Sequence, residues 1–264
     1  MKEIIKLRTP LAITFAVWKA LFLREAVTRL STGRAAWFWL MLEPVIVIIF
    51  HLYWYSALHV GSMFGMDIAI WFMLGFSGYF LFMRIGTQCM NAVNANQTLF
   101  VYKIVKPVDT VIIRAALEGL IMTITIGLLF IAVKTINLPL DLSNFILAVS
   151  AWIGLALLGL GYGLLFSVIN ELIPEVEKLL KFTTLPLYFS SGVLLPIKGV
   201  PEPYYDWLMM NPIIHGVEYL RIAFGEHYIA AKNLSLNYLY GCALCSIFLG
   251  LVLHRKFAKK LVTL

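Results

Sequence analysis

The sequence predicts an all-α integral membrane protein of about six transmembrane helices, with an N-terminal amphipathic helix in the interface and a re-entrant outer hairpin before the last span. Three observations predict it. The 264 residues are 61% hydrophobic and 13% charged, with a mean hydropathy of +0.87; soluble domains carry about 25% charge, so the polar coat of a soluble protein is missing. The apolar residues form continuous runs near the ~20 residues that cross a ~30 Å hydrocarbon core, not the ~10-residue alternating strands of a barrel. The basic residues are spread unevenly about those runs.

In order, the runs place spans at 36–58, 68–85, 111–133, 145–169, 182–197 and 235–253. With the N-terminus in the cytoplasm, only Lys134, Lys198, Arg221 and Lys232 of the 21 lysines and arginines fall on the outer side. This positive-inside bias puts both termini in the cytoplasm. It also makes the net charge of +7 a matter of topology, and no basic stripe is left to track nucleic-acid phosphates. The chain thus divides into a cytoplasmic or interfacial segment at 1–35, one transmembrane domain at 36–253 and a basic cytoplasmic tail at 254–264.

The stretch Leu11–Leu23 is interrupted by Lys19, and no small-residue cleavage site follows it. A basic amphipathic helix lying on membrane lipids is therefore expected, rather than a cleaved signal. In the first span Glu43 precedes Pro44, and it reads either as a structural ion pair supporting a kink or as a group lining a pathway. Arg84, at the cytoplasmic mouth of the second span, reads either as a topology anchor or as a cationic guide for an anionic cargo. Glu118 lies toward the cytoplasmic end of the third span, where a charge costs less than at the bilayer centre.

The inner segment 86–110 runs from polar Asn96 and Gln97 into apolar Leu99, Phe100 and Tyr102. It is either a short helix offered to a partner or a solvated connector. In the second inner segment, 171–181, Pro174 suits a first helical turn, with Glu175 and Glu177 at the positive end and Lys178 and Lys181 at the negative end. Pro186, Pro196, Pro201, Pro203 and Pro212 break the region 186–226, leaving short helices at 204–210 and 213–224. Broken helix at membrane depth is tolerated only against protein or a water-filled cavity, so a hairpin dipping in from the outer side is expected. Within it His215, Glu218 and Arg221 stand at i, i+3 and i+6, spaced for Glu218 to reach both neighbours. That trio reads as a plain ion pair, as a gate, or as a contact to lipid phosphate; one His and one Glu are too few for a metal.

Other motifs point away from chemistry. Gly159, Gly161 and Gly163 lie mid-span, so they read as a close helix approach rather than a dinucleotide loop. Cys242 and Cys245 sit inside the last span, without the βαβ context of a redox pair. Aromatics make up 14% of the chain; residues such as Trp37, Trp39, Tyr53, Trp54, Tyr55, Trp71 and Tyr79 read as interfacial belts, or as flat faces for sugars in a lumen. There is no P-loop, so the chain is not expected to bind ATP. Nor is there a nucleophile elbow, a His-Glu-x-x-His or a carboxylate pair at catalytic spacing, so no enzyme activity is expected.

Several blocks in order resemble the KpsM-like permease subunits of group 2 capsular polysaccharide ABC exporters. They are Leu23-Arg24-Glu25 with Arg29, Trp39 and Leu42-Glu43-Pro44; Asn94-Ala95-Asn96-Gln97 with Leu99-Phe100 and Tyr102; Val105-Lys106-Pro107-Val108-Asp109-Thr110; Pro186-Leu187-Tyr188-Phe189 with Ser191-Gly192; and Asn211-Pro212 with His215, Glu218 and Arg221. The resemblance implies a homodimer in a Gram-negative inner membrane, with two copies of a separate ATPase that hold the ATP and Mg; no cofactor is implied on this chain. It further implies a lipid-linked acidic or neutral polysaccharide as cargo, a periplasmic co-polysaccharide polymerase-type protein and an outer-membrane export pore. In that setting Asn96, Gln97, Leu99, Phe100, Tyr102, Glu175 and Lys178 are expected to transmit the ATPase stroke, and Glu43, Arg84, His215, Glu218 and Arg221 to line or gate the path. The alternatives are a permease for another lipid-linked polymer, O-antigen or teichoic acid, and a membrane transferase built on His51, His59 and Asp67.

Overall fold

The computed structural model describes residues 9–31, 36–57, 59, 61–135, 137–138 and 140–263, with only the backbone at 10, 30–31, 36–38, 40–41, 43–44, 52, 56 and 263. The described chain is mostly helical. Helix α1 (Pro10–Ser31) is followed by α2 (Ala36–Ala57) and a minimal hairpin, β1 (Ser62–Met63) with β2 (Met66–Asp67). Then come α3 (Ile68–Met90), a 3₁₀ segment (Asn94–Val101), α4 (Pro107–Thr135) and α5 (Phe145–Leu172). Helix α6 (Glu175–Phe189), a short 3₁₀ turn (Ile197–Gly199), α7 (Tyr204–Met209) and α8 (Pro212–Phe224) lead to α9 (Leu236–Lys256) and α10 (Ala258–Thr263).

Among the described residues four helices, α3, α4, α5 and α9, are long and apolar enough to cross a membrane. They correspond to the spans expected at 68–85, 111–133, 145–169 and 235–253. Helix α2 occupies the expected first span with 22 residues. The expected span at 182–197 is not a separate helix. The chain runs unbroken through Lys181 and Phe182 in the 15-residue α6, which fuses the amphipathic segment to the apolar one. No breaker stands at that boundary. The helix stops instead at Ser190–Gly192, where Gly192 takes φ +70, a left-handed turn that glycine adopts without strain.

Helix α3 is the centre of the bundle. The hairpin before it turns on Phe64 (φ 47) and Gly65 (φ 87), and Asp67 caps the helix by accepting from Ala69 N at 2.8 Å. Its Trp71, Phe72, Phe76 and Leu81 are fully buried. Trp71 and Tyr79 therefore belong neither to an interfacial belt nor to a lumen wall; they are core, whereas Trp39, Tyr53 and Trp54 of α2 are exposed. Phe76 and Tyr188 bring α3 and α6 together, with ring centroids 5.9 Å apart.

The glycines of α5 explain how tightly the bundle closes. A Cβ at Gly159 would lie 2.8 Å from Phe82 O, and one at Gly163 would strike Cys89, both on α3. A Cβ at Gly161 would strike Ser246 on α9. One helix thus carries small residues on two faces and packs a neighbour against each, as the mid-span spacing predicts.

Candidate functional site

Two buried charge clusters lie toward opposite ends of α3. Trp71 and Arg84 are 13 positions apart on that helix, about 20 Å at 1.5 Å per residue.

The first cluster fastens α1 to the C-terminal half of α3 and the N-terminal half of α4. Glu118 is fully buried and accepts from Arg84 Nε at 3.1 Å, while Arg29 Nη2 lies 3.1 Å from its other oxygen. Glu25, also buried, pairs with Arg114, and Arg24 Nη2 stands 3.7 Å away. Trp18 Nε1 donates to Asp109 at 2.9 Å, and Arg29 donates to Gln88. Two carboxylates therefore face four guanidiniums. A buried ion that loses its partner costs about 3–5 kcal/mol, so pulling α1 away from α3 and α4 would strand buried charges on both sides.

The sequence places Arg84 at the cytoplasmic mouth of the second span, as a topology anchor or a cationic guide; the structure places its Nε on Glu118. Sequence reasoning did not identify Glu25, Arg29, Arg114 or Asp109 as partners of anything. The i, i+4 spacing of Glu25 and Arg29 suggests a pair within the helix, but the two side chains go to different partners on α4.

The connector residues lie beside this cluster. Asn96 is buried, donates Nδ2 to Ala92 O at 2.8 Å and accepts from Arg24. Gln97 Nε2 lies 3.5 Å from Glu171 Oε2, which brings the two inner segments side by side. Phe100 is buried rather than offered to a partner, and Leu99 is half-buried. The 3₁₀ turn directs Phe100 inward. The exposed apolar surface is instead Val101, Tyr102 and Ile104, at 82%, 67% and 63% exposure. Glu175 and Lys178 are exposed on α6, and one turn further on Lys181 pairs with Glu177 at 2.8 Å.

The second cluster joins α8, α3 and the turn after α6. Asn211 caps α8 by accepting from Ile213 N at 3.0 Å, and its Nδ2 donates to Ser190 O at 3.1 Å. Pro212 then suits the first helical turn. Helix α8 is buried on nearly every side, as expected of a helix enclosed by protein. Arg221 is 0% exposed. It donates to Glu218 at 2.9 Å and to Gly192 O at 2.8 Å, and its guanidinium lies 3.6 Å over the Trp71 ring. Glu218 also accepts from Tyr228 OH at 3.0 Å and from Ala231 N at 3.2 Å. Burial pushes the Tyr228 phenol up to about 12, which keeps it a donor to that carboxylate.

Glu218 therefore does not bridge both of its helical neighbours. His215 sits beside it on α8, but its Nε2 meets Met209 O at 2.9 Å and its Nδ1 accepts from Ser235 N at 3.1 Å. The expected trio is an ion pair and a separate backbone clamp. Glu43 lies in α2, with its side chain outside the described residues. Among the transferase candidates, His51 packs on Phe76 with centroids 4.8 Å apart, and Asp67 caps α3; each is already engaged in packing or capping.

These helices and clusters carry a recognisable sequence. The family model for the ABC-2 type transporter matches residues 16–224, from α1 through α8. The chain belongs to the ABC-2 type transporter family. Relatives of this ABC-2 chain extend the match over almost its whole length. It is 35% identical to the polysialic acid transport protein KpsM of Escherichia coli, over 93% of this chain and 95% of that protein. It is 26% identical to the capsule polysaccharide export inner-membrane protein CtrC of Neisseria meningitidis serogroup B, over 94% of each. The capsule polysaccharide export inner-membrane protein BexB of Haemophilus influenzae is 25% identical, again over 94% of each. Both buried clusters of the ABC-2 fold, Glu118 with Arg84 and Glu218 with Arg221, lie inside the matched region.

Proposed function

We propose that this chain is the permease subunit of an ATP-driven exporter that moves lipid-linked capsular polysaccharide across a bacterial inner membrane. The observation that carries it is the 35% identity to KpsM over 95% of that protein's length, which leaves no part of that relative's architecture unmatched by a large block. In this reading the chain crosses six times, through α2, α3, α4, α5, the apolar run 182–197 that begins in α6 and continues through the turn at Gly192, and α9, with both termini cytoplasmic. Helix α1 lies along the inner interface, and 186–226 dips in from the outer side. Two protomers form the channel between them, since an ATPase dimer with two ATP sites calls for a two-fold partner.

ATP and Mg are bound by that separate ATPase, because this sequence has no P-loop. Its stroke enters through 94–104 and 171–181, which the Gln97–Glu171 contact places together. A periplasmic co-polysaccharide polymerase-type protein and an outer-membrane pore complete the route. The Glu218–Arg221 pair, bound to the turn at Gly192, closes the outer end of the path.

Deletion of the gene tests this reading. Cells should lose surface capsule and accumulate the polymer on its lipid anchor inside, and the chain should copurify with an ATPase. Unchanged surface capsule in the deletion strain would refute it. For the topology, cysteines at Ser62 and Asp141 in a cysteine-free background should react with an impermeant thiol reagent, and one at Lys259 should not.

A further inference from the structure

One cavity of this chain lies away from both charge clusters. It has a volume of about 580 Å³ and lies where α4 begins and α9 ends. Lys103 and Lys106, just before α4, form one rim, and Arg255, in the last turn of α9, forms the other. Leu251 and Val262 supply apolar wall, and no carboxylate lies among the described lining residues. Among the described residues none of the three cations has an ion-pair partner. At the wall His254 is 4% exposed; its Nε2 meets Ser167 Oγ at 3.0 Å and its Nδ1 has no partner among the described residues. A buried imidazole nitrogen in that state is a cost that a hydroxyl-bearing ligand or a water removes.

Depth and surroundings identify the occupant. Helices α4 and α9 are both long enough to cross a membrane, so the cavity sits where their ends reach headgroup level. Below it the flank of α9 is exposed and apolar at Leu244, Phe248 and Val252, a continuous track for acyl chains. Basic pockets between spans at that depth suit anionic headgroups. We propose that this cavity binds one resident anionic glycerophospholipid, its phosphate held by Lys103, Lys106 and Arg255 and its chains laid along α9. The site is separate from the polymer path and does not depend on which cargo is exported. It would tie the connector that carries Tyr102 to the end of α9 by way of a lipid.

The test is native mass spectrometry of the full-length chain in detergent, titrated with phosphatidylglycerol, with phosphatidylcholine and with inorganic phosphate. One phosphatidylglycerol should be retained per chain, with phosphatidylcholine and inorganic phosphate bound at least tenfold more weakly. Each basic residue near a membrane surface contributes about fivefold in affinity, so Lys103→Gln with Lys106→Gln and Arg255→Gln should weaken binding on the order of a hundredfold. Lys259→Gln with Lys260→Gln removes charge from the same end of the chain and should change it less than about threefold. If the triple variant does not assemble, the three single variants should each show the fivefold loss. Equal retention by the triple variant overturns the proposal, as does an equal loss in the Lys259 and Lys260 control. Displacement of the lipid by the copurifying ATPase overturns it too, since the cavity would then be a protein-docking site.

Discussion

Replacing Arg221 by methionine is the sharpest probe of the outer cluster. Arg221 has no exposed surface and contacts four groups at once: Glu218, Gly192 O, Trp71 O and the face of the Trp71 ring. Methionine keeps most of the packing volume over Trp71 and removes the charge. Glu218 would keep Tyr228 and Ala231 as donors but would be a buried carboxylate without a counter-ion. Breaking such a pair costs about 3–5 kcal/mol. In a chain of this size each kcal/mol moves Tm by about 2–4 °C, so Arg221→Met should melt roughly 6–20 °C below the parent. Glu218→Gln added to Arg221→Met removes the stranded charge, and because apolar replacement of a whole buried pair is often neutral, most of that loss should return. The assay is intrinsic tryptophan fluorescence of the full chain in one detergent. A single variant melting within about 2 °C of the parent, or a double variant no better than the single, would refute the reasoning. Capsule export by the double variant then separates roles: normal export leaves the pair as a brace, and loss of export at restored stability makes it a gate.

Three further outcomes follow from the packing. Val101→Asp with Tyr102→Asp should leave Tm unchanged and reduce ATPase copurification at least tenfold, whereas Phe100→Asp should lower Tm by burying a charge, at a cost of several kcal/mol; equal ATPase recovery from the Val101 and Tyr102 variant removes this surface from the coupling. Gly163→Val should destabilise by about 1–3 kcal/mol through overpacking on Cys89, while Gly127→Ala, with nothing within 4 Å of its added Cβ, should stabilise by up to about 1 kcal/mol, both read as Tm. Arg84→Gln should lower Tm with insertion intact, and adding Glu118→Gln should recover part of the loss; full export at lowered Tm would make Arg84 a brace rather than a guide.

What was legible in the sequence is what one segment settles by itself. Run length located α3, α4, α5 and α9, because a membrane-crossing helix needs ~20 apolar residues wherever its neighbours lie. Proline placement located α7 and α8 almost to the residue. The glycine spacing of α5 predicted a close approach, although which helix sits on which face is a tertiary fact: Gly163 meets α3 and Gly161 meets α9. The expected boundary inside α6 failed for a local reason. A switch from charged to apolar residues at Lys181 changes what a helix faces, and it does not end the helix; only the turn at Gly192 does.

The charge clusters were legible in their members and not in their pairings. Glu218 and Arg221 share one helix three positions apart, so their contact follows from spacing, but spacing says nothing about depth. A pair near water is worth about 0–1 kcal/mol; the same pair under Trp71 and Gly192 is worth several times that to break. Glu118 is the harder case. Its two cations come from α3 and α1, 34 and 89 positions away in the sequence, and only the packing of both α3 and α1 against α4 brings them to one carboxylate. Arg84 read alone is an unpaired charge at a membrane mouth, and such a charge invites a cargo. With Glu118 beside it the cation is already engaged by a buried carboxylate, and among the described residues Lys103, Lys106 and Arg255 are cations that line one cavity at that end of the bundle without an ion-pair partner.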